Sequence, residues 1–475
     1  MMKKLCYFIL IGFMISSCNN WLDVKPNDRI SEEATFSTER GFEMALNGVY
    51  VNLNDNALYG QALSYELVEI MAQRYNINKD AESKYQAMTF NYTSLNMESR
   101  IANIWETGYH LISNVNLILK NCEERRDVLS DTYYNLIKGE ALALRAYLHF
   151  DLFRLYGPVY TTANNSGVTL PYYKNFQLVM AEYLSAEDFM KTVLDDLREA
   201  VIYLKDDPIF TQAPQATNGA NSFYGWRVLR MNYFAVKLLE ARVCLYMGDK
   251  SAALLAAKEV IDVQEEKFPW VDGSVINNSL DDPDRIFSSE LVFALQNVNR
   301  NTIYTDNFDA ENLKITSMLA PLDGVVLNMY ENRQTDYRYR AYMGTFNYGG
   351  ATYKEITKYK AENADTLYNQ MIPMLRVSEA YYIAAECEEN EVVAREYLNT
   401  VLHARNLPDM PMYQSIEGEL NLEYYREFWL EGQLFFYYKR KNSSEMYSAS
   451  EIGGTISVFP NNYVFPIPES ETQYN

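Results

Sequence analysis

Histidine is scarce in this chain of 475 residues: only His110, His149 and His403 occur. None falls in an HxxxH or HExxH spacing, which removes the usual zinc patterns. Cysteine is limited to five, with no CxxC, so a thioredoxin-type redox pair and a zinc ribbon are excluded. No GxSxG, GxGxxG or P-loop is present, so no catalytic residue, metal or cofactor is expected. Carboxylates are plentiful, and a two-carboxylate glycosidase pair stays open, but no pair stands out by local context. Asp281-Asp282-Pro283-Asp284 lacks the glycine and distal glutamate of a calcium loop and reads as a solvated acidic turn. Basic residues are also short, 42 against 63 acids, for a net charge of −21. Such a surface favours solubility and repels phosphate backbones, so no nucleic-acid partner is expected.

Long apolar runs are absent beyond the first residues. The chain opens Met1-Met2-Lys3-Lys4, and Leu5 to Ile15 then run apolar, broken only by Gly12. Ser16-Ser17-Cys18 follow. A charged start, a short apolar stretch and small residues before a cleavage point define an export signal. The stretch is well short of the roughly 20 residues that span a bilayer. Ile15-Ser16-Ser17-Cys18 resembles a bacterial lipobox, which implies removal of residues 1–17 and acylation of Cys18. More than one acyl chain gives stable anchoring. Cleavage removes two lysines and no acids, taking the charge from −21 to −23. Cys122, Cys244 and Cys387 remain, far apart and on helical patterns, and read as small buried hydrophobes.

Tyrosine is abundant, 40 against 22 Phe and 5 Trp. A flat apolar face with a hydrogen-bonding tip suits helix seams and sugar-binding surfaces alike. Helical spacing dominates. Ile137, Ala141, Leu144, Leu148, Leu152 and Leu155 step by threes and fours, and Phe189, Val193, Leu197, Val201 and Leu204 make another stripe. Ser185 with Asp188 is a capping-box-like start. Two helices joined at Met247-Gly248-Asp249, with Ala241, Ala252, Ala253 and Ala257 where they cross, resemble a tetratricopeptide-type pair. A second copy runs from Leu375 to Ala404, turning at Glu388-Glu389-Asn390. Weaker copies join 36–53 with 99–120, and 131–156 with 187–204. The stretches 54–98, 157–184, 205–225, 265–370 and 408–420 lack periodicity. Their Asn, Asp, Gly and Tyr content predicts ordered loops with a few short strands, one at Phe287 to Leu295.

From Trp21-Leu22-Asp23-Val24-Lys25-Pro26 through Leu144-Arg145-Ala146-Tyr147 to Phe465-Pro466-Ile467-Pro468, ordered motifs run nearly end to end and resemble those of the SusD/RagB outer-membrane nutrient-binding lipoproteins of Bacteroidetes. Trp21-Leu22-Asp23-Val24-Lys25-Pro26 is similar to the family's opening, and Trp105, Tyr109 and Asn114 to its Trp-x3-Tyr and Asn pattern. Glu140, Leu144-Arg145-Ala146-Tyr147, Phe150-Asp151-Leu152 and Arg154-Leu155-Tyr156-Gly157 resemble its most recognisable helix. Arg376, Glu379-Ala380-Tyr381, Arg426-Glu427, Glu431-Gly432 and Phe465-Pro466-Ile467-Pro468 follow in order. Gln433, Leu434 and Tyr437 depart from the family's His-Arg and Asp, at positions read as fold-supporting.

The resemblance implies a mostly α, SusD-like fold. Tetratricopeptide-type helix pairs, about 36–264 and 371–407, form a right-handed superhelical scaffold. After the signal 1–17 and a lipid-anchored tether 18–35, residues 36–475 make a single domain. The resemblance also implies a surface-exposed protein that captures oligosaccharide, or in some branches peptide. Such a protein acts as a lid on a SusC-type TonB-dependent transporter, held to the outer membrane by its lipid. Family ligand surfaces correspond here to 54–98 and 265–370. A sugar needs an aromatic plane with polar groups beside it. The candidates are Arg74, Tyr75, Asn76, Asn78, Asp80 and Tyr85 in the first segment, and Trp270, Asn299, Arg300 and Tyr304 in the second. Trp105, Tyr109, Tyr147, Tyr381, Tyr382 and His149 lie on helix faces and are expected in the core.

Overall fold

The computed structural model describes residues 31–472 except 162, 177–180, 218–222, 277–279 and 364. The export signal, Cys18 and the tether through residue 30 lie outside the described residues. Of the described residues, 53% are helical and 9% are in strands. Among the described residues no helix is long and apolar enough to cross a membrane.

All four expected helix pairs form. Glu39–Asn52 packs on Leu95–Glu124, Asp131–Tyr156 on Ala186–Tyr203, Tyr233–Met247 on Lys250–Ile261, and Val377–Cys387 on Glu391–Ala404. Each pair then packs on the next, so the stack follows chain order. Local chemistry sets the boundaries. Gly248 ends its helix at φ +82°, and Asp249 caps the next by accepting from the Ala252 N–H at 3.0 Å. Asn390 does the same at the last pair, accepting from the Val392 N–H. Ser185 caps through the Asp188 N–H, but Asp188 takes the Ser185 hydroxyl rather than its backbone N–H, because its side chain is one methylene short. Gly139 is required by close approach: a Cβ there would lie 2.6 Å from Leu204 Cγ.

The aperiodic stretches hold more helix than expected. Leu67–Met71 and Glu82–Met88 lie within 54–98, and Arg300–Asn307, Asp323–Met329 and Tyr337–Tyr342 within 265–370. All five residues of Leu67–Met71 are buried, so no polar face remains to create a period. The strand expected from Phe287 begins at Leu291, because Phe287 is left-handed at φ 57° and Ser288–Glu290 is a 3₁₀ turn. This strand, Leu291–Gln296, pairs antiparallel with Met371–Arg376. Met343–Tyr348 pairs with Ala351–Ile356 across Gly349-Gly350, both at positive φ. The acidic turn is not simply solvated. Asp282 accepts hydrogen bonds from Thr366, Tyr368 and Asn369, and buried Asp284 accepts from the Ser288 backbone and hydroxyl.

The core is apolar but carries a large ionic cluster. Buried Arg405 donates to both Glu290 oxygens at 2.7 and 2.6 Å and to Glu427 at 3.0 Å. Arg338 joins Asp336, Glu423 and Glu427. Arg376 joins Glu427 and Glu431, and Lys358 also binds Glu431. The cluster ties the 265–370 insertion to the last helix pair and to the C-terminal helices Ile416–Glu427 and Gln433–Arg440. The departures from the family pattern serve this region. Gln433 accepts from Arg154, Leu434 is fully buried, and Tyr437 stacks on Tyr424 at 4.1 Å. Free Cys122, Cys244 and Cys387 are buried, and burial pushes each thiol up to about 12.

His149 is packed as expected. Its Nδ1 donates to the Arg145 carbonyl at 2.9 Å, its Nε2 accepts the Tyr173 N–H at 3.1 Å, and the ring stacks on Tyr172 at 3.7 Å. That arrangement needs the neutral ring, and burial lowers its pKa to about 3. The unfolded histidine titrates near 6.5, so this contribution is intact above that pH and lost as pH falls toward 3. Between about pH 6 and 4, stability should therefore fall by about 1.4 kcal/mol per pH unit from this group. Urea titrations of His149→Gln and the parent across that range should show a shallower slope in the variant. In the ionic cluster, burial works to raise the Glu427 carboxyl, yet Arg405, Arg376 and Arg338 hold it well below its ordinary value. Glu427→Ala should cost about 3–5 kcal/mol in chemical unfolding, because three arginines lose a buried partner. Replacement of exposed Arg198 should cost under about 0.5 kcal/mol.

Candidate ligand-binding cavity

A cavity of about 900 Å³ opens where four segments meet. The helix Glu39–Asn52 contributes Glu43, Asn47, Tyr50 and Val51, a stripe at helical spacing. Asn54, Asn56 and Gln61 follow from the turn after it. The strand Leu291–Gln296 leads into Asn297, Val298 and Asn299, and the helix Arg300–Asn307 adds Thr302, Ile303, Asp306 and Asn307. Gly225, Trp226, Leu229 and Arg230 close the remaining side. A second hollow of about 290 Å³ shares Asn56 and Gln61 and continues past Ser83, Asn96 and the Arg100–Glu66 ion pair.

Buried polar contacts position these walls. Glu140, on the helix Asp131–Tyr156, accepts from the Tyr50 hydroxyl at 2.8 Å and from Arg227 at 2.7 Å. Arg227 also pairs with Asp207 at 2.7 Å. The Tyr50 hydroxyl accepts the Met231 N–H at 2.9 Å, so one carboxylate fixes both the helix stripe and the Trp226 segment. Asn232 donates to the Arg227 and Val292 carbonyls at 2.9 and 2.8 Å, joining that segment to the strand. Trp226 itself is left-handed at φ 50°, with its N–H on the Ala216 carbonyl, and the residue is half-buried. Strain of this size persists only where the surroundings enforce it. Asn297 organises its own turn by accepting the Asn299 N–H at 2.9 Å.

The lining includes an indole, two exposed valines (Val51 and Val298, 69% and 67% exposed), a run of side-chain amides and the charged Glu43, Arg230 and Asp306. Asn56, Gln61 and Asn299 make no side-chain hydrogen bond among the described residues. No group of three or more His, Cys, Asp or Glu that could hold a metal ion occurs among the described residues.

Of the ten residues chosen from sequence, the structure brings only Asn299 to this cavity. Four are built into the interior instead. Arg74 pairs with Glu69 at 2.5 Å and lies 4.3 Å from the Trp429 ring. Tyr75 donates to the Tyr65 carbonyl at 2.8 Å. Arg300 binds the Tyr368 and Met371 carbonyls and the Asn369 amide, and Tyr304 donates to Glu355 at 2.6 Å. Most of these polar atoms fasten their segments to other parts of the fold: Arg74 to the Tyr425 carbonyl, Arg300 to the Met371 carbonyl and Tyr304 to Glu355. Asn76 is half-buried, Asn78 and Asp80 form an exposed turn, and Tyr85 packs against the core. Trp270 sits 5.2 Å from Tyr381, away from the cavity lining. Trp105, Tyr147, Tyr381 and Tyr382 are buried as expected, while half-buried Tyr109 lines a separate pocket of about 130 Å³. Glu43, Asn47 and Trp226 line the cavity and are not among the sequence candidates. The available signal was a polar i, i+4 pair on an otherwise apolar helix face, and a tryptophan after a glycine at a segment boundary.

Residues 20–216 match the SusD-like family described as starch-binding and associating with the outer membrane. A SusD-like protein of Formosa agariphila is 22% identical over 317 residues, which cover 62% of this chain and 51% of that protein. The match thus spans about half the length of that relative. A SusD superfamily structure from Bacteroides thetaiotaomicron superposes with a TM-score of 0.72 at 21% identity, covering 92% of this chain and 98% of the other. A Bacteroides vulgatus structure described as sugar-binding superposes at 0.71 and 20% identity, covering 92% and 97%. The amino-terminal part of the chain thus matches the SusD-like family model, and the chain shares the fold of SusD superfamily structures along nine-tenths of its length.

Proposed function

We propose that the protein is a non-catalytic, surface-exposed lipoprotein that captures oligosaccharide in the Trp226 cavity. It then acts as a lid that delivers the glycan to a SusC-type TonB-dependent transporter of the outer membrane. The carrying observation is the lining itself. A sugar ring presents an apolar C–H face and a hydroxyl rim, and the cavity offers an indole and valines beside unpaired amides. A volume of about 900 Å³, continued by the second hollow, is generous for one ring and suits a short chain. The family's starch-binding description and the sugar-binding Bacteroides vulgatus neighbour support the same ligand class.

Trp226 should be the main contact. Trp226→Ala is expected to weaken glycan binding at least tenfold in calorimetry, the loss of about 1.4 kcal/mol or more. Trp270→Ala, away from the cavity lining, should leave binding within about twofold. Binding of oligopeptides but no oligosaccharide by the parent protein would overturn the glycan reading. For the anchor, Cys18→Ser should abolish acyl labelling and release the protein from the membrane fraction, since the described residues hold no helix fit to span a bilayer. Retention of the variant in the membrane without label would refute lipid anchoring at this position.

A further inference from the structure

The charge arrangement of the cavity bears on which glycans it takes, and this inference rests on the glycan reading above. Three formally charged side chains line it: Glu43, Asp306 and Arg230. Arg230 is already engaged. It donates to Asn47 at 2.6 Å, lies 3.4 Å from Glu140 and stacks over Phe223 at 4.7 Å. Neither Glu43 nor Asp306 has a hydrogen-bond or ion-pair partner among the described residues. No lysine lines the cavity among the described residues. Glu43 is only 9% exposed. A carboxylate so placed is costly without donors beside it. Sugar hydroxyls are such donors. A uronate or sulfate group brings no donor and adds like-charge repulsion where water screens poorly. The amides around it donate and accept without charge, so they do not offset that repulsion.

We propose that the cavity selects neutral, hydroxyl-rich oligosaccharides and rejects glycans bearing uronate or sulfate groups, with Glu43 and Asp306 as the specificity-determining residues. Two panels test this by calorimetry on the full mature protein. One holds malto-, cello-, xylo- and manno-oligosaccharides, the other oligogalacturonates, alginate oligomers and sulfated galactan oligomers. At least one neutral series should bind, with every acidic series at least tenfold weaker. Glu43→Gln with Asp306→Asn should narrow that ratio at least tenfold. Raising the ionic strength from about 0.05 M to about 0.5 M should narrow it in the parent. A merely structural role for the two acids would move neither ratio. Acidic series bound as tightly as neutral ones would overturn the charge selection while leaving glycan capture standing. An unchanged ratio in the double variant, with its circular dichroism intact, would remove the role of these residues. No binding from either panel by folded protein would instead remove the glycan reading, and the inference with it.

Discussion

Five buried cations and six buried acids meet where the long insertion, the last helix pair and the C-terminal helices converge. Arg338, Lys358, Arg376, Arg405 and Arg426 face Glu290, Asp336, Glu419, Glu423, Glu427 and Glu431. Glu427 alone is shared by three arginines. Charges taken from water at this cost repay it only when every partner is in place. The cluster therefore acts as a geometric constraint more than as a source of net stability. It fastens an insertion of about a hundred residues, with little apolar periodicity of its own, at several points to the rest of the fold.

That constraint reaches the cavity through one strand pair. Glu290 immediately precedes the strand Leu291–Gln296, and Leu291 pairs with Arg376, so both strands begin or end on the cluster. At the other end Gln296 pairs with Met371, and Asn297 to Asn299 enter the cavity wall. Arg300 binds the Met371 carbonyl and fixes the exit. Six residues of strand, roughly 17–20 Å, thus connect the ionic core to the site. On the opposite wall Glu140 plays the corresponding part for Tyr50, Arg227 and Arg230. The backbone of both walls is thus tied to buried polar contacts, while Asn56, Gln61 and Asn299 keep their side-chain amides unpaired among the described residues.

Much of the scaffold was legible in the sequence. Stripes such as Ile137 to Leu155 and the Gly248-Asp249 turn name helices and boundaries, because amphipathic packing writes itself at a period of 3.6. The insertions were not legible in the same way. Leu67–Met71 is buried all round, and Gly349-Gly350 is a hairpin turn without a strongly alternating strand on either side. The site was the least legible part. Arg74, Tyr75, Arg300 and Tyr304 have the chemistry of ligand contacts, yet each spends it on nearby carbonyls or carboxylates. An exposed contact and a loop anchor use the same residue types, and only burial tells them apart. Glu43 and Asn47 sit on a helix whose other face is core, so their spacing signals helix packing and not the cavity they line.

The cavity is lined by the first helix pair, the Trp226 segment and the insertion before the last pair, and no residue of the C-terminal packing is among its lining. Capture of glycan by an indole plane and flanking amides is the centre of this picture. A crystal structure of the mature protein soaked with the neutral oligosaccharide that binds most tightly tests it most directly. A sugar ring stacked on Trp226, with hydroxyls on Glu43 and the Asn297–Asn299 turn, is the predicted result. A ligand seated instead against Trp270 or in the Tyr109 pocket, with the Trp226 cavity holding none, would contradict it.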